Sequence, residues 1–270
     1  MKQQTFRPKK SLGQNFLVDE NISRKIVHSV TPTPEQTFLE IGSGFGVLTK
    51  YLLPEVKKLI AVEIDRNLVS ELQADLGAHD NFELVQGDFL RLEIAELAEA
   101  PNGIRVIGNI PYHITSPVIF KVFENRHLVQ DMTLMIQKEV ARRIAAKPCT
   151  KDYGILSVFS QVYARVELLF QVSRNVFSPK PEVDSAVVRW DFSPGDDRDI
   201  RSKAVFSQLV RGTFQQRRKM LRNSLSNLGD LQPDLQTLSF DLEKRPEELS
   251  PQEFVTLSNL ICTNQWMKKI

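Results

Sequence analysis

Residues 108–112 read Gly-Asn-Ile-Pro-Tyr and close an apolar, strand-like run that begins at Ile104. Asn109 offers a side-chain carbonyl and Ile110 a backbone carbonyl, Pro111 fixes its own φ, and Tyr112 offers an aromatic face. Two stiffly held acceptors beside a ring can take both N–H protons of an amine on a flat heterocycle. Such an amine is a poor nucleophile, because its lone pair is delocalised into the ring. Acceptors that draw the nitrogen toward a tetrahedral shape activate it, and catalysis of this kind is mostly positioning. In isolation the same residues describe a Pro-terminated strand with Asn in a turn and Tyr in a core.

A second group lies upstream. The run LEIGSGFGVLT (39–49) places Gly42, Gly44 and Gly46 between a strand-like stretch and a helix-like one. Glycines there let the backbone turn tightly and approach a ligand closely. The GxGxG spacing does not meet the GxGxxG dinucleotide fingerprint, and alone it is a weak signal. Glu63 ends the next apolar run, where a carboxylate can accept bonds from both hydroxyls of a ribose. Asp65 is more simply the N-cap of the helix that follows. Asp88 and Asn109 end the third and fourth runs. Four successive strand ends thus bring Gly, Glu, Asp and Asn to one edge, which favours a nucleoside-type ligand over four separate turn residues.

That arrangement requires an open, mostly parallel sheet. Candidate strands fall at 37–41, 59–64, 82–86, 104–108, 132–137, 166–170 and 185–192. The first four are nearly continuous in apolar residues, as strands buried on both faces should be. Helical spacing in GVLTKYLLPEV and NLVSELQADL supplies the crossovers between parallel strands. The breaker-rich SPGDDRD (193–199) reads as a linker between a domain at 1–193 and a small all-helical one at 198–270. In the latter, 203–228 has apolar residues near helical spacing. Ser250, Pro251 and Glu253 form a capping box at the start of another helix.

A net charge of +2 hides an uneven distribution: residues 1–25 carry six Lys/Arg against two acids, and 198–222 carry eight against one. Two basic patches on a slightly acidic body suggest a polyanionic partner, a solvated charged face being the bland alternative. No apolar run is long enough to span a bilayer, and the N-terminus lacks a signal-peptide core. Cys149 and Cys262 lack metal-ligand spacing and only four histidines are present, so we expect no metal site and reduced thiols in a cytoplasmic protein.

The glycine turn followed by strand-end acids resembles class I S-adenosylmethionine-dependent methyltransferases, whose Rossmann-like fold carries a seven-stranded sheet. More narrowly, KKSLGQNFLVD (9–19), EIGSGFGVLT, VEID, GDF, GNIPYHIT, MIQKEVARRI (135–144), NVFSPKPEVDSAVV (175–188) and FQQRRKMLRNSL (214–225) resemble, in that order, the ribosomal RNA adenine N6,N6-dimethyltransferases, and among them the bacterial small-subunit branch. The resemblance implies S-adenosylmethionine as cofactor. It also implies dimethylation of two adjacent adenines in a hairpin loop near the 3′ end of 16S rRNA, in the small ribosomal subunit or its precursor.

Carried onto this chain, Asn15 and Leu17 close over the cofactor, Gly42 and Gly44 lie against it, Glu63 holds its ribose and Asp88 its adenine amine. Asn109 faces cofactor and target, and Phe177 stacks on a flipped base opposite Tyr112. Leu17 as plain core and Phe177 as an apolar plug are the alternatives. Lys9 and Lys10 form one RNA-backbone patch. Arg211, Arg218 and Arg222 form another on one helical face, with Arg217 and Lys219 beside them. A monomer is expected. A large-subunit rRNA methyltransferase of the antibiotic-resistance type shares most of the N-terminal motifs, but QRRKMLRNSL and the helical C-terminal domain favour the small-subunit enzyme. A non-catalytic assembly factor is disfavoured by the intact Gly42, Glu63, Asp88, Asn109 and Tyr112.

Overall fold

The computed structural model describes residues 8–9, 12–98, 103–193, 199–226, 228, 233, 235–236 and 238–267, with 264–267 described as backbone. Two compact units divide the chain, one formed by 1–141 with 167–193 and the other by 142–166 with 194–270. Most of the expected linker (194–198) and Lys10 lie outside the described residues.

The first unit carries the strands β1 (Phe16–Leu17), β2 (Thr37–Ile41), β3 (Lys58–Glu63), β4 (Phe82–Gln86), β5 (Ile104–Asn109), β6 (Val129–Gln137), β7 (Arg165–Val172, which begins in the other unit), β8 (Phe177–Ser178) and β9 (Ser185–Asp191). Its helices are α1 (Glu20–Ser29), α2 (Thr49–Leu52), α3 (Arg66–Leu76), α4 (Ile94–Leu97), α5 (Thr115–Glu124) and the start of α6 (Lys138–Ile144). Seven strands form one sheet in the order β4-β3-β2-β5-β6-β9-β7, parallel from β4 to β6, with β9 antiparallel to β6. The chain builds outward in opposite directions from β2 and β5, so the sheet's topological switch lies between them, where open α/β sheets bind ligands. Ile41 sits opposite Gly108 there. A Cβ on Gly108 would come within 2.7 Å of the Ile41 carbonyl oxygen. Glycine at 108 therefore accommodates the neighbouring strand.

Polar side chains start the helices, Asp65 as expected and Asp19 in addition. Asp19 accepts the Ile22 N–H and Asp65 the Asn67 N–H, each satisfying an otherwise unpaired donor. Two strand expectations change. β4 is the sheet's edge and is partly exposed rather than buried on both faces. The β1–β8 pair, with Leu17 opposite Phe177, was not expected, because two-residue strands have no period to read.

The second unit contains α7 (Ile155–Tyr163), α8 (Lys203–Phe214), α9 (Leu221–Leu225) and α10 (Pro251–Met267). The division differs from the expected break near residue 193, because α7 belongs with the later helices. Phe159 meets Phe206 edge-on at 5.3 Å, and the Tyr153 hydroxyl donates to the Leu249 carbonyl at 2.8 Å. The reciprocal Ser250–Glu253 bonds form the expected capping box. The helical spacing read over 203–228 does not run through as one helix: it is interrupted at 215–220, between α8 and α9. After the interruption, at the start of α9, the N–H groups of Leu221 and Arg222 bond to the carbonyls of Lys244 and Leu242 instead of continuing a helical ladder. Arg211, Arg218 and Arg222 consequently do not share one helical face.

Candidate active site

A cleft of about 210 Å³ opens at the carboxyl edge of the sheet in the first unit, across the switch between β2 and β5. Its lining includes Asn15, Leu17, Gly42, Gly44, Glu63, Asp88 and Asn109 through Tyr112, so the residues read from the strand ends converge on one space.

Gly44 has φ +57°, a conformation that L side chains rarely adopt, and a Cβ there would press on the Phe16 ring at 3.3 Å. Its N–H donates to Glu63 Oε2 at 2.9 Å, and the Asp65 N–H donates to Oε1 at 2.8 Å. Burial pushes the Glu63 pKa up, with these backbone donors pulling the other way. A carboxylate has about four acceptor sites, so it can still accept hydroxyls from a ligand beside these donors. Asp88 accepts the Leu90 N–H at 3.0 Å, capping the short turn that follows while facing the cleft.

Asn109 ends β5, and its Nδ2 donates to the Asn15 backbone carbonyl at 3.3 Å. With the donor end of the amide committed, the carbonyl end is the acceptor. Asn15 thus acts in this geometry through its backbone, on the residue proposed to hold the target. The Tyr112 ring is half-buried, and its hydroxyl lies 2.8 Å from Ser185 Oγ.

Asp65 does more than cap α3. Lys9 Nζ donates to it at 2.7 Å and Gln14 Nε2 at 3.1 Å. Burial works to raise its pKa, but these bonds and the Asn67 N–H bring it below the usual range. The segment 12–17, which walls the cleft, is therefore tied down at Asp65. Lys9 is a tether here rather than an open phosphate contact.

Phe177 does not line the cleft. It is 5% exposed and packs in the cluster that holds Leu17, Met135 and Val187, because β1 lies across it. In this arrangement Phe177 is the apolar plug, and Tyr112 alone of the two expected rings faces the cleft.

Several residues of the site were not read from the sequence. Phe16 and Phe45 meet with ring centroids 4.7 Å apart over the glycine turn, and Ile64 lines the cleft while 47% exposed. Glu40 lies inside β2, 1% exposed, where it accepts from Thr49 Oγ1 at 2.6 Å. Burial pushes its pKa up to about 8, with the negative charge of Glu63 adding to the effect. A lone acid inside an apolar strand was the available signal.

In the second unit Arg217 is occupied. It pairs with Glu247 at 2.7 Å and donates to the carbonyls of Lys151 and Thr150. Arg222 pairs with Glu243, and the Arg211 guanidinium lies 5.5 Å from the centre of the Phe159 ring. Arg218 and Lys219 are exposed. Among the described residues no cluster of His, Cys, Asp and Glu could hold a metal ion, and no helix is long and apolar enough to cross a membrane.

A family model described as "Ribosomal RNA adenine dimethylase" matches residues 5–262. The chain is 45% identical over 250 residues to "Ribosomal RNA small subunit methyltransferase A" of Chlorobium phaeobacteroides (strain DSM 266 / SMG 266 / 2430), covering 92% of this chain and 89% of that one. It is 41% identical over 266 residues to the protein of the same name from Clostridioides difficile (strain 630), covering 96% and 92%. Among solved structures, a dimethyladenosine transferase from Plasmodium falciparum superposes with a TM-score of 0.79 at 26% identity, covering 93% of this chain and 98% of that one. The 23S rRNA methyltransferase ErmE gives a TM-score of 0.67 at 26% identity, covering 92% and 99%.

Proposed function

The chain belongs to the ribosomal RNA adenine dimethylase family, and from that premise we propose that it dimethylates N6 of two adjacent adenosines in the 3′-terminal hairpin loop of 16S rRNA, using S-adenosylmethionine. The observation that carries this reading is the Asn109 amide. Its donor end is held by Asn15, and its acceptor end is left beside a cleft that also contains a ribose-type clamp.

The residues fit that cofactor. Glu63, fixed by backbone N–H groups, can still accept ribose hydroxyls, Asp88 can accept from an adenine amine, and the bare Gly42–Gly44 backbone admits close approach. When bound, S-adenosylmethionine supplies an electrophilic methyl group on a sulfonium. The work of the chain is to bring a nucleophile to it. A flipped adenine stacks on Tyr112, at a cost that is small for a base already in a loop. Asn109 Oδ1 and the Ile110 carbonyl accept the two N–H protons of its amine and favour a tetrahedral nitrogen. After one methylation a single N–H remains, so one acceptor suffices to orient the second round.

RNA-backbone contact falls to Arg218 and Lys219, which are exposed and have no ion pair among the described residues, with Arg211, Arg217 and Arg222 in supporting positions. Such an enzyme acts where small ribosomal subunits are assembled, in the cytoplasm. Separated small and large subunits, each incubated with methyl-labelled cofactor, test the choice of substrate. Label should enter small-subunit RNA, whereas label confined to large-subunit RNA would favour the antibiotic-resistance type of reaction.

A further inference from the structure

We infer that Ser185 is a positioning residue for the target base: its hydroxyl sets the plane of the Tyr112 ring on which the adenine stacks. This rests on the proposed methylation of a flipped adenine. The two oxygens are 2.8 Å apart although 73 residues separate them in sequence. Stacking itself uses only the ring face, which a phenylalanine would offer equally well. The hydroxyl therefore serves another purpose, and the bond it makes shows which. Tyr112 opens a three-residue turn separated from β5 by two residues, a local structure too brief to fix a ring by itself. Ser185 supplies the missing constraint from a rigid element. It is fully buried, begins β9, and sits opposite Gln137 of β6.

The residue before it is held at two points. The Asp184 carbonyl accepts the Lys138 N–H at 3.0 Å, and its carboxylate accepts the Arg174 N–H at 3.1 Å. The Ser185 hydroxyl thus hangs from the central sheet, and the tie transmits the sheet's rigidity to the stacking ring. Either hydroxyl can donate in this bond, and in both directions it fixes the position of the phenol oxygen. Burial raises the Tyr112 pKa, so the phenol keeps its proton, with the Ser185 bond pulling the other way.

The test is a double-mutant cycle on Ser185→Ala and Tyr112→Phe with two readouts. The first is turnover on small-subunit particles. Each single variant should lower kcat about three- to tenfold, the worth of one hydrogen bond, with KM for the particle unchanged. The double variant should be no slower than either single, and Ser185→Thr, which restores the hydroxyl, should recover the rate. The second readout is the fluorescence of 2-aminopurine placed at the target position of an RNA hairpin bound to the protein. Quenching by the stacking ring should weaken to the same degree in both single variants. Rate effects that multiply, or stacking unchanged in both variants, would overturn the inference. Tyr112→Phe breaks the same bond while leaving Ser185 in place, so the test survives a Ser185→Ala protein that fails to fold. A wild-type protein that stacks the probe but methylates nothing would instead contradict the proposed function.

Discussion

Asn109 carries a donor and an acceptor on one side chain, and the fold commits only the donor. That choice comes from Asn15, whose carbonyl holds Nδ2 and so fixes which end of the amide meets the ligand. Glu40 shows the opposite case, a carboxyl made neutral by its surroundings. Its pKa stands at about 8 against a usual 4.5, chiefly through burial. A carboxyl with a raised folded-state pKa contributes stability that is fully present below the unfolded pKa and lost as pH rises through the folded one. Unfolding free energy should therefore fall between about pH 4.5 and pH 8, and Glu40→Gln should flatten that decline. Urea melts across this range check it; a variant whose profile runs parallel to wild type would show that Glu40 ionises without cost. Glu63, Asp88, Asn109 and Tyr112 were legible because each ends or follows an apolar run, where a polar residue must face out of the sheet. Glu40 was signalled only by being a lone acid inside an apolar strand, and Ser185, the first residue of β9, declares its use only through the side chain that folds against it.

Among the elements, the strap at 12–17 does the most with the least structure. It has two strand residues, yet it walls the cleft, orients Asn109 and covers Phe177. Asp65 anchors it through Lys9 and Gln14 while capping α3. The substitution Asp65→Asn separates these tasks, because asparagine caps a helix as well as aspartate but cannot pair with Lys9. The variant should keep a melting temperature near wild type. Hydrogen exchange at residues 12–17 should rise, and S-adenosylmethionine should bind several-fold more weakly. Equal protection of the strap in both proteins would show that the tie is idle. The seven sheet strands were readable from apolar runs bounded by turn residues. The break between α8 and α9 was not, for it is set by backbone bonds from Leu221 and Arg222 to residues twenty or more positions away.

For the molecule as a whole, the charge pattern is informative only once its partners are known. Of the basic run at 217–222, Arg217 and Arg222 are paired with glutamates, while Arg218 and Lys219 are exposed with no ion pair among the described residues, which makes them the candidates to meet phosphates. Alanine at both should lower the slope of log affinity against log salt by about 0.7 for each phosphate no longer neutralised, whereas Arg222→Ala should change it less. Equal slopes in wild type and the double variant would make the exposed pair bystanders. Activation of an adenine amine by Asn109 is tested by nucleoside mass analysis of small-subunit RNA incubated with S-adenosylmethionine and either wild type or Asn109→Ala. Wild type should yield N6,N6-dimethyladenosine at two adjacent positions in the 3′ hairpin loop. Asn109→Ala should bind the particle as tightly and yield none. Full dimethylation by the variant would contradict the role assigned to Asn109.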